Sequence, residues 1–175
     1  LTINSDTKSM AKENILTNAV RLAQESHSGQ QYGNRPYICH CVDVADVLRE
    51  FGVTDVEILA AGYLHDTMED AGITREQIER ECSARVAEIV WRVTDEPGEN
   101  RKKRKRATYP KIAASDDAVA VKLADRIANF RECIKSGSDL LAMYRREWPE
   151  FSNSLRKFGS INDPMWEELD GLMME

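Results

Sequence analysis

One apolar run that ends in ionisable side chains constrains this fold more than any other feature of the sequence. The residues AAGYL at 60–64 are typical of a buried helix, and they lead directly into His65, Asp66, Glu69 and Asp70. Such groups bind metal ions and transfer protons, and burying them without a role would cost free energy. On a helix His65 and Asp66 point about 100° apart. Both side chains can therefore bind one ion only if it lies near the end of the helix. Its other ligands must come from elsewhere in the chain.

Hydrophobic periodicity predicts an all-α fold in a single compact helical bundle. Apolar residues recur at three- and four-residue steps, and little of the chain shows the alternation of a strand. At 175 residues the chain fits one domain, which we place at 11–175, with 1–10 as a disordered or non-native N-terminal extension. Helices are predicted at 11–28, 42–51, 84–93, 117–134 and 140–158.

Capping and turn residues set further boundaries. The sequences TDVE at 54–57 and TREQ at 74–77 both fit the capping-box pattern, so each predicts the start of a helix. Pro110 and Pro149 are expected to kink or interrupt the helices that contain them. The segment QQYGNRP at 30–36 is rich in turn residues and predicts a loop.

Composition and charge exclude several classes of protein. With 42% hydrophobic and 31% charged residues the chain has an ordinary globular composition. No apolar run approaches the roughly 18 residues of a membrane span. The net charge of −6 argues against a general nucleic-acid binder. The polar start lacks the apolar core of a signal peptide, and the four cysteines include no CxxC pair, so we expect a cytoplasmic protein with reduced thiols and no membrane partner.

Three further residues are candidates to complete a metal site with His65 and Asp66. His40 lies at a helix start, His27 at a helix end, and Asp125 inside an apolar helix where its charge must be neutralised. Imidazole and carboxylate ligands without thiolate favour Mn²⁺, Fe²⁺ or Zn²⁺, which activate water and screen phosphate charge. The structural alternative is that His40 caps a helix, His65 is a core histidine and Asp125 pairs with the adjacent arginine or a lysine.

Three motifs carry a family resemblance. PYICH at 36–40, LHDTMED at 64–70 and VKLADRIAN at 121–129 follow one another in the order and spacing of the HD-superfamily alarmone hydrolases. These comprise the hydrolase half of RelA/SpoT-type enzymes and their stand-alone small relatives. The chain resembles them from about residue 27 to residue 148. A bare His-Asp pair is a weak signal, but three ordered motifs with Glu-Asp after the pair are specific.

The resemblance implies an all-helical HD domain with a central metal site and a defined reaction. The implied residues are the Mn²⁺ ligands His40, His65, Asp66 and Asp125, the groups Glu69 and Asp70 that position and deprotonate the attacking water, and the nucleotide contact Asn129. The family removes pyrophosphate from the 3′ position of guanosine tetra- and pentaphosphate, leaving GDP or GTP. No synthetase domain fits in 175 residues, so a stand-alone hydrolase is implied.

The chain departs from the family pattern at two places. Cys41 stands where the family usually has proline after the metal-binding histidine. The loop at 30–35 has glutamines and Tyr32 where the family often has a basic pair that stacks on the base. Tyr32 or Arg35 is therefore the candidate to contact the base. An adenine alarmone, or another 3′- or 2′-phosphorylated nucleotide, stays open as a substrate.

The basic run RKKRKR at 101–106 has two interpretations. It is a solvated helix face, or it matches the basic helix that faces substrate phosphates in the family. In the second case we expect Lys103 and Arg104 to make these contacts. Tyr144 and Arg145 lie where the family places another phosphate contact. Nucleic acid is disfavoured as a partner of the run by the acidic remainder of the surface.

Other functions stay open at this point. The chain also fits an HD phosphohydrolase acting on another nucleotide, namely an NADPH 2′-phosphatase or a nucleotidase, and it fits a non-catalytic module that binds nucleotide or RNA. Four ligands on a six-coordinate ion leave positions for water and phosphate, which favours an enzyme. The terminal residues LMM at 172–174 suit a homo-oligomer contact, which the sequence does not decide.

Overall fold

Ten helices and one short hairpin make up the part of the chain that the computed structural model describes, which is the backbone of residues 5–174 with side chains from residue 14. The helices are α1 (Ser5–Ser26), α2 (Ile38–Glu50), α3 (Val56–Leu64), α4 (Thr67–Asp70), α5 (Arg75–Glu81), α6 (Ala84–Val93), α7 (Arg101–Ala113), α8 (Asp116–Ser136), α9 (Leu140–Leu155) and α10 (Asp163–Met174). The antiparallel strands are β1 (Gln31–Tyr32) and β2 (Arg35–Pro36). The predicted all-α fold is confirmed.

The first helix begins at Ser5, earlier than the predicted start at residue 11. Residues 1–4 of the predicted N-terminal extension lie outside the described residues. The assignment of 1–10 as a disordered or non-native segment stays a prediction.

Local chemistry explains several helix ends. Helix α6 begins and ends where the pattern predicts. The predicted capping box at 74–77 is present, whereas the one at 54–57 is wrong, because the Asp55 carboxylate accepts from a backbone amide and caps α3 instead. Helix α8 is closed by Gly137, whose φ of 66° is the left-handed conformation common at this position.

Two prolines lie inside helices that continue past them. Pro110 is within α7 and Pro149 within α9, so the predicted interruption of the second of these helices is wrong. A proline in a helix interior removes one backbone hydrogen bond. Packing offsets that loss in α9, where Phe151 is fully buried and its ring lies 5.9 Å from that of Trp148.

Helices α3 and α8 form the centre of the bundle. Helices α1, α2 and α6 pack on α3, while α8 contacts α2, α6, α7, α9 and α10 as well as α3. Every residue of α8 from Ala118 to Ala128 is buried, including three ionisable side chains. Gly62 lets α2 and α3 approach closely, because a Cβ there would lie 2.8 Å from Leu48 Cδ1. Among the described helices, none combines the length and apolar character that a membrane span needs.

The central helix breaks at the ionisable residues and does not continue to residue 70. Helix α3 ends at Leu64, His65 is its C-cap, and α4 begins only at Thr67. The Thr67 hydroxyl donates to the Leu64 carbonyl at 2.7 Å, which satisfies one of the carbonyl groups freed at the helix end. His65 and Asp66 therefore lie at a helix end, the position from which both can reach one ion.

A short hairpin occupies the segment predicted as a loop. Gln31 pairs with Pro36 and Tyr32 with Arg35. Gly33 opens the two-residue turn with a φ of 58°, a value that glycine adopts without the steric cost of a side chain. The hairpin brings the Tyr32 ring against the first turn of α2.

Candidate active site

Three of the predicted metal ligands converge in the interior. His40 lies in the first turn of α2, His65 at the end of α3 and Asp125 in α8, and one ligand atom from each lies within 4.8 Å of the others. His40 Nε2 is 3.3 Å and His65 Nε2 is 3.7 Å from Asp125 Oδ1. All three side chains are buried. Residues far apart in the sequence thus meet because α2, α3 and α8 pack together.

Asp66, the fourth predicted ligand, adjoins this cluster. Its Oδ2 lies 2.8 Å from His65 Nε2 and 4.0 Å from His40 Nε2. The Tyr37 hydroxyl donates to the same oxygen at 2.6 Å and so fixes the orientation of the carboxylate. Such support from a neighbouring group is common around metal-binding carboxylates.

The hydrogen bonding of His65 fits a divalent cation. Its Nδ1 lies 2.8 Å from the Gly62 carbonyl, which can only accept, so Nδ1 carries a hydrogen. The buried Nε2 makes no hydrogen bond with any described residue, although a carboxylate oxygen of Asp66 lies 2.8 Å away. A nitrogen and oxygens that converge in this way need a positive charge among them, either a proton on the ring or a bound cation. Imidazole together with carboxylate oxygen suits a divalent metal ion.

Charges in the cluster shift the pKa values of its members. Burial would lower the pKa of His65, but the neighbouring Asp66 carboxylate outweighs burial and raises that pKa to about 9. Burial would raise the pKa of Asp66, but His65 holds it below its usual range. The pKa of Asp125 is also lowered despite burial, chiefly by Lys122. A proton on His65 can thus balance the carboxylates, and metal binding would release it.

Asp125 also has a buried counter-ion. Lys122 Nζ lies 2.8 Å from Asp125 Oδ2, three residues earlier on α8. The structural alternative, a lysine paired with Asp125, is therefore present in the structure. The adjacent Arg126 contacts Glu147 instead, at 3.3 Å. The lysine pair and a metal site are compatible, because Oδ2 of Asp125 faces the lysine while Oδ1 faces the histidines.

The two candidate acid-base residues line the same pocket as the candidate metal ligands. Glu69 and Asp70 lie in α4, and both line the pocket. Glu69 Oε2 accepts a hydrogen bond from the Asp95 backbone N–H at 3.3 Å. Burial and the nearby Asp66 carboxylate raise the pKa of Asp70, which makes its carboxylate a better proton acceptor.

A pocket of about 250 Å³ joins these groups to a set of cations. The basic residues that line it are Arg101, Lys105, Lys122 and Arg126. Its aromatic residues are Tyr32, Tyr37 and Tyr144. Cations and candidate metal ligands that line one pocket suit an anionic substrate that carries several phosphates.

The two phosphate contacts predicted on α7, Lys103 and Arg104, lie outside the pocket. Lys103 pairs with Glu99 and its side chain is 60% exposed, and neither it nor Arg104 lines the pocket. Arg101 and Lys105, which lie four residues apart and so share a face, line it instead. All six residues at 101–106 are basic, so no apolar residue marks which face is inward.

Tyr32 and Asn129 form a chain of hydrogen bonds that ends at the Asp125 carboxylate. The Tyr32 hydroxyl donates to Asn129 Oδ1 at 2.7 Å, and Asn129 Nδ2 donates to Asp125 Oδ1 at 2.5 Å. The Tyr32 ring also stacks on His40, with centroids 4.5 Å apart. Both residues line the pocket, and their contacts with substrate stay a prediction.

Of the three remaining predicted substrate contacts, one lines the pocket and two do not. Tyr144 lines the pocket, whereas Arg145 does not. Arg35 pairs with Asp43 at 2.6 Å and with Glu132 at 3.2 Å, and it lies outside the pocket. The prediction that Arg35 contacts the base is therefore not supported by its position, because its guanidinium already has two carboxylate partners.

Five residues of the pocket were not singled out from the sequence, namely Tyr37, Arg101, Lys105, Lys122 and Arg126, although the basic run that contains Arg101 and Lys105 was. Helical spacing was an available signal for Lys122, which is three residues before Asp125. No local pattern indicates that Tyr37 reaches Asp66, because that contact depends on how α2 packs against α3.

His27 lies beside the site but outside the cluster of ligand atoms. Its ring stacks on Tyr37 at 4.5 Å, and its Nδ1 lies 2.7 Å from Gln30 Oε1. His27 thus contacts Tyr37, whose hydroxyl donates to Asp66, and it contributes no ligand atom to the cluster.

Known proteins share this architecture. A family model described as an HD domain matches residues 19–149. A zebrafish (Danio rerio) protein named guanosine-3′,5′-bis(diphosphate) 3′-pyrophosphohydrolase MESH1 is 33% identical over 168 residues, covering 92% of this chain and 93% of that protein. The human protein of the same name is 39% identical over 99 residues, which is 55% of each chain.

Two solved structures resemble the fold. One, described as a metazoan ortholog of SpoT that hydrolyses ppGpp and plays a role in starvation responses, gives a TM-score of 0.78 at 26% identity, over 99% of this chain and 97% of that one. The protein lmo0812 of Listeria monocytogenes EGD-e gives a TM-score of 0.61 at 21% identity, over 78% of this chain and 99% of that one, which is a likeness of fold. Because the HD model spans most of the sequence and the zebrafish relative matches nearly all of it, the chain belongs to the HD domain family, among the hydrolases related to MESH1.

Proposed function

We propose that this protein hydrolyses the 3′-pyrophosphate of guanosine tetra- and pentaphosphate, releasing pyrophosphate and GDP or GTP, with Mn²⁺ as its cofactor. The observation that carries the proposal is a single pocket that joins the His and Asp cluster, two acidic residues of α4 and four cations. This arrangement fits a substrate with several phosphates close to one scissile bond. The zebrafish relative carries the name of this activity.

The proposed metal ligands are His40, His65, Asp66 and Asp125. Imidazole and carboxylate donors without thiolate favour Mn²⁺, with Fe²⁺ and Zn²⁺ as the alternatives. When bound, the ion supplies Lewis-acid activation of water and neutralises phosphate charge. Tyr37 and the Gly62 carbonyl hold Asp66 and His65 in the orientation that this role needs.

Glu69 and Asp70 are proposed to take up the proton of the attacking water. Asp70 suits the role because burial and Asp66 raise its pKa. Glu69 is held at one oxygen by the Asp95 N–H, which leaves its other oxygen available to orient water.

The pocket cations are proposed to bind the pyrophosphate that leaves. Lys122 and Arg126 are 7% and 3% exposed, so they would act in a setting of low dielectric where each contact with phosphate is strong. Arg101 and Lys105 supply two more positive charges from α7. Asn129 is the proposed contact with the nucleotide.

We propose that the protein discriminates only weakly between guanine and adenine, and that it therefore also cleaves adenine alarmones. Among the residues of the hairpin, Tyr32 lines the pocket and Arg35 does not. An aromatic ring stacks on either purine, whereas a basic side chain can donate to the guanine O6 atom that adenine lacks. The hairpin thus offers stacking without a charged contact to the base.

Turnover by the purified protein tests the proposal. The wild type is incubated with Mn²⁺ and each alarmone, and products are resolved by chromatography. The variant Glu69→Gln should lose about 10²- to 10⁴-fold in kcat, the usual contribution of a positioned acid-base group, and still bind nucleotide in isothermal titration. The matched control is Glu79→Gln, because Glu79 is an exposed residue of α5 outside the pocket, and it should keep full activity.

The same assay decides among the alternatives. Its panel contains guanosine and adenosine tetraphosphates, NADPH and deoxynucleoside triphosphates. Pyrophosphate together with a 5′-diphosphate supports the proposal. Phosphate released from NADPH alone would identify a 2′-phosphatase, and tripolyphosphate from deoxynucleotides a nucleotidase. Binding of nucleotide or RNA without any turnover would identify a binding module.

A further inference from the structure

Asp95, in the loop between α6 and α7, contacts two residues of the pocket. Its Oδ1 lies 3.0 Å and its Oδ2 2.9 Å from Lys105 Nζ. Its backbone N–H donates to Glu69 Oε2 at 3.3 Å. The side chains of Asp95 and Lys105 are only 3% and 11% exposed. One loop residue thus joins a cation of α7 to a candidate acid-base group of α4.

We propose that Asp95 is a positioning residue, which keeps the Lys105 ammonium charged and directed into the pocket, where it binds the phosphates of the substrate. The proposal rests on the proposed function, because it assigns Lys105 to phosphate binding. A lysine side chain has four flexible bonds, so without a fixed partner its ammonium would sample many positions. A preformed geometry removes that entropy loss from the reaction.

The surroundings of Lys105 show why it needs this partner. Burial, Lys122 of α8 and Arg101 of α7 all disfavour the charged ammonium, and burial is the largest of these effects. Asp95 opposes them, and the pKa of Lys105 is lowered on balance. Arg104, whose Nε is 3.8 Å from Asp95 Oδ2, is a further cation at the same carboxylate. Without the Asp95 charge, Lys105 would lose its proton more readily.

The loop is also attached to α7 by hydrogen bonds that do not involve the Asp95 carboxylate. The Glu96 backbone N–H donates to the Thr108 hydroxyl at 2.8 Å, and that hydroxyl donates to the Arg104 carbonyl at 2.8 Å. Thr108 is fully buried in α7. Because the loop is attached to α7 through Thr108, replacing Asp95 by asparagine should remove the charge and leave the fold intact.

The neighbouring residue supplies a matched control. Glu96 Oε1 lies 2.7 Å from Lys111 Nζ, so adjacent acidic residues pair with two lysines of the same helix. Lys111 does not line the pocket; its ammonium lies 4.7 Å from the centre of the Trp91 ring. The two ion pairs share loop, helix and chemistry, and differ in whether the lysine faces the pocket.

Steady-state kinetics of Asp95→Asn, Glu96→Gln, Lys105→Met and the double variant Asp95→Asn/Lys105→Met test the proposal. Asp95→Asn should raise KM for the alarmone about tenfold or more, as expected for one weakened charge-assisted contact, while Glu96→Gln should stay near the wild type. The rise should grow with pH as Lys105 loses its proton. The double variant should match Lys105→Met. Equal effects of Asp95→Asn and Glu96→Gln, or additive effects in the double variant, would overturn the proposal.

A second measurement does not depend on the substrate. The proteins are treated with an acylating reagent over a range of pH, and peptide mass spectrometry reports the modification of each lysine. In Asp95→Asn, Lys105 should be modified at lower pH than in the wild type while Lys111 is unchanged, and Glu96→Gln should show the reverse. If the wild type cleaves no alarmone, the proposed function fails, and unchanged labelling of Lys105 in Asp95→Asn separately rejects the role of Asp95.

Discussion

Lys122 and Asp125 form a buried ion pair inside the candidate metal site, with Nζ 2.8 Å from Oδ2. The same carboxylate presents Oδ1 to His40 at 3.3 Å. Lys122 therefore stabilises the carboxylate when no metal is present, and it repels a divalent ion that binds there. The pair sets a balance between the stability of the metal-free protein and its affinity for metal.

The substitution Lys122→Met should shift this balance. The metal-free variant keeps a buried carboxylate without its lysine, so its free energy of unfolding should fall by about 3–5 kcal/mol, as when one partner of a buried pair is removed. Saturating Mn²⁺ should recover most of this loss, because the ion supplies the missing positive charge. Urea unfolding with and without a chelator measures both values. The same loss in both conditions would show that Lys122 does not compete with metal.

Metal should stabilise the wild type through its histidine ligands. At free Mn²⁺ about one hundred times the Kd, linkage predicts about 2.7 kcal/mol of added stability, which is a rise in Tm of roughly 5–10 °C for a chain of this size. His65→Ala should abolish the rise. His27→Ala, which removes a histidine outside the ligand cluster, should keep it. Differential scanning fluorimetry with metal analysis measures the effect, and a rise retained in His65→Ala would contradict the assignment.

Tyr32 offers a test that separates its ring from its hydroxyl. Tyr32→Phe keeps the stacking on His40 and removes the donor to Asn129, so kcat/KM should fall about 3- to 10-fold, the usual effect of one neutral hydrogen bond. Tyr32→Ala also removes the ring and should cost more. Equal losses in both variants would assign the whole effect to the hydroxyl, and no loss in either would exclude Tyr32 from the site.

The contribution of Glu147 to the free energy of unfolding should depend on pH. Burial would raise its pKa, but hydrogen bonds from Arg101 and the charge of Arg126 lower it below the ordinary value of 4.5. The stabilisation is therefore complete above pH 4.5, and it is lost as pH falls through the lower pKa of the folded state. Glu147→Gln should reduce the free energy of unfolding by about 1–2 kcal/mol at pH 7, with a difference that disappears in acid. A constant difference down to low pH would contradict this prediction.

The helices were predictable where local chemistry decides them. The apolar spacing of α6 predicts both of its ends, and the motif around Asp125 predicts a buried helix with an acidic residue that needs a partner. The break after Leu64 was not predictable from periodicity, because the apolar run shows no residue that forbids a helix. The break coincides with tertiary contacts, since Asp66 lies 4.0 Å from His40 of α2 and His65 lies 3.7 Å from Asp125 of α8.

The pocket was predictable at the cluster of candidate metal ligands and less so at its basic residues. The His and Asp motifs are distinctive in sequence, whereas the run at 101–106 presents a cation at every position, and only the packing of α7 on α8 and α9 selects Arg101 and Lys105. The hairpin that carries Tyr32 has strands of two residues, too short for a periodic pattern.

The burial of α8 should determine whether the site is lost by local or by global unfolding. Its amide protons between Ala118 and Ala128 are enclosed by neighbouring helices, so they should exchange with deuterium only when the whole bundle opens. Asp125 lies within this stretch and Asn129 directly follows it, so no local fluctuation should detach Asp125 from the histidines. Thermal inactivation and global unfolding should therefore occur together.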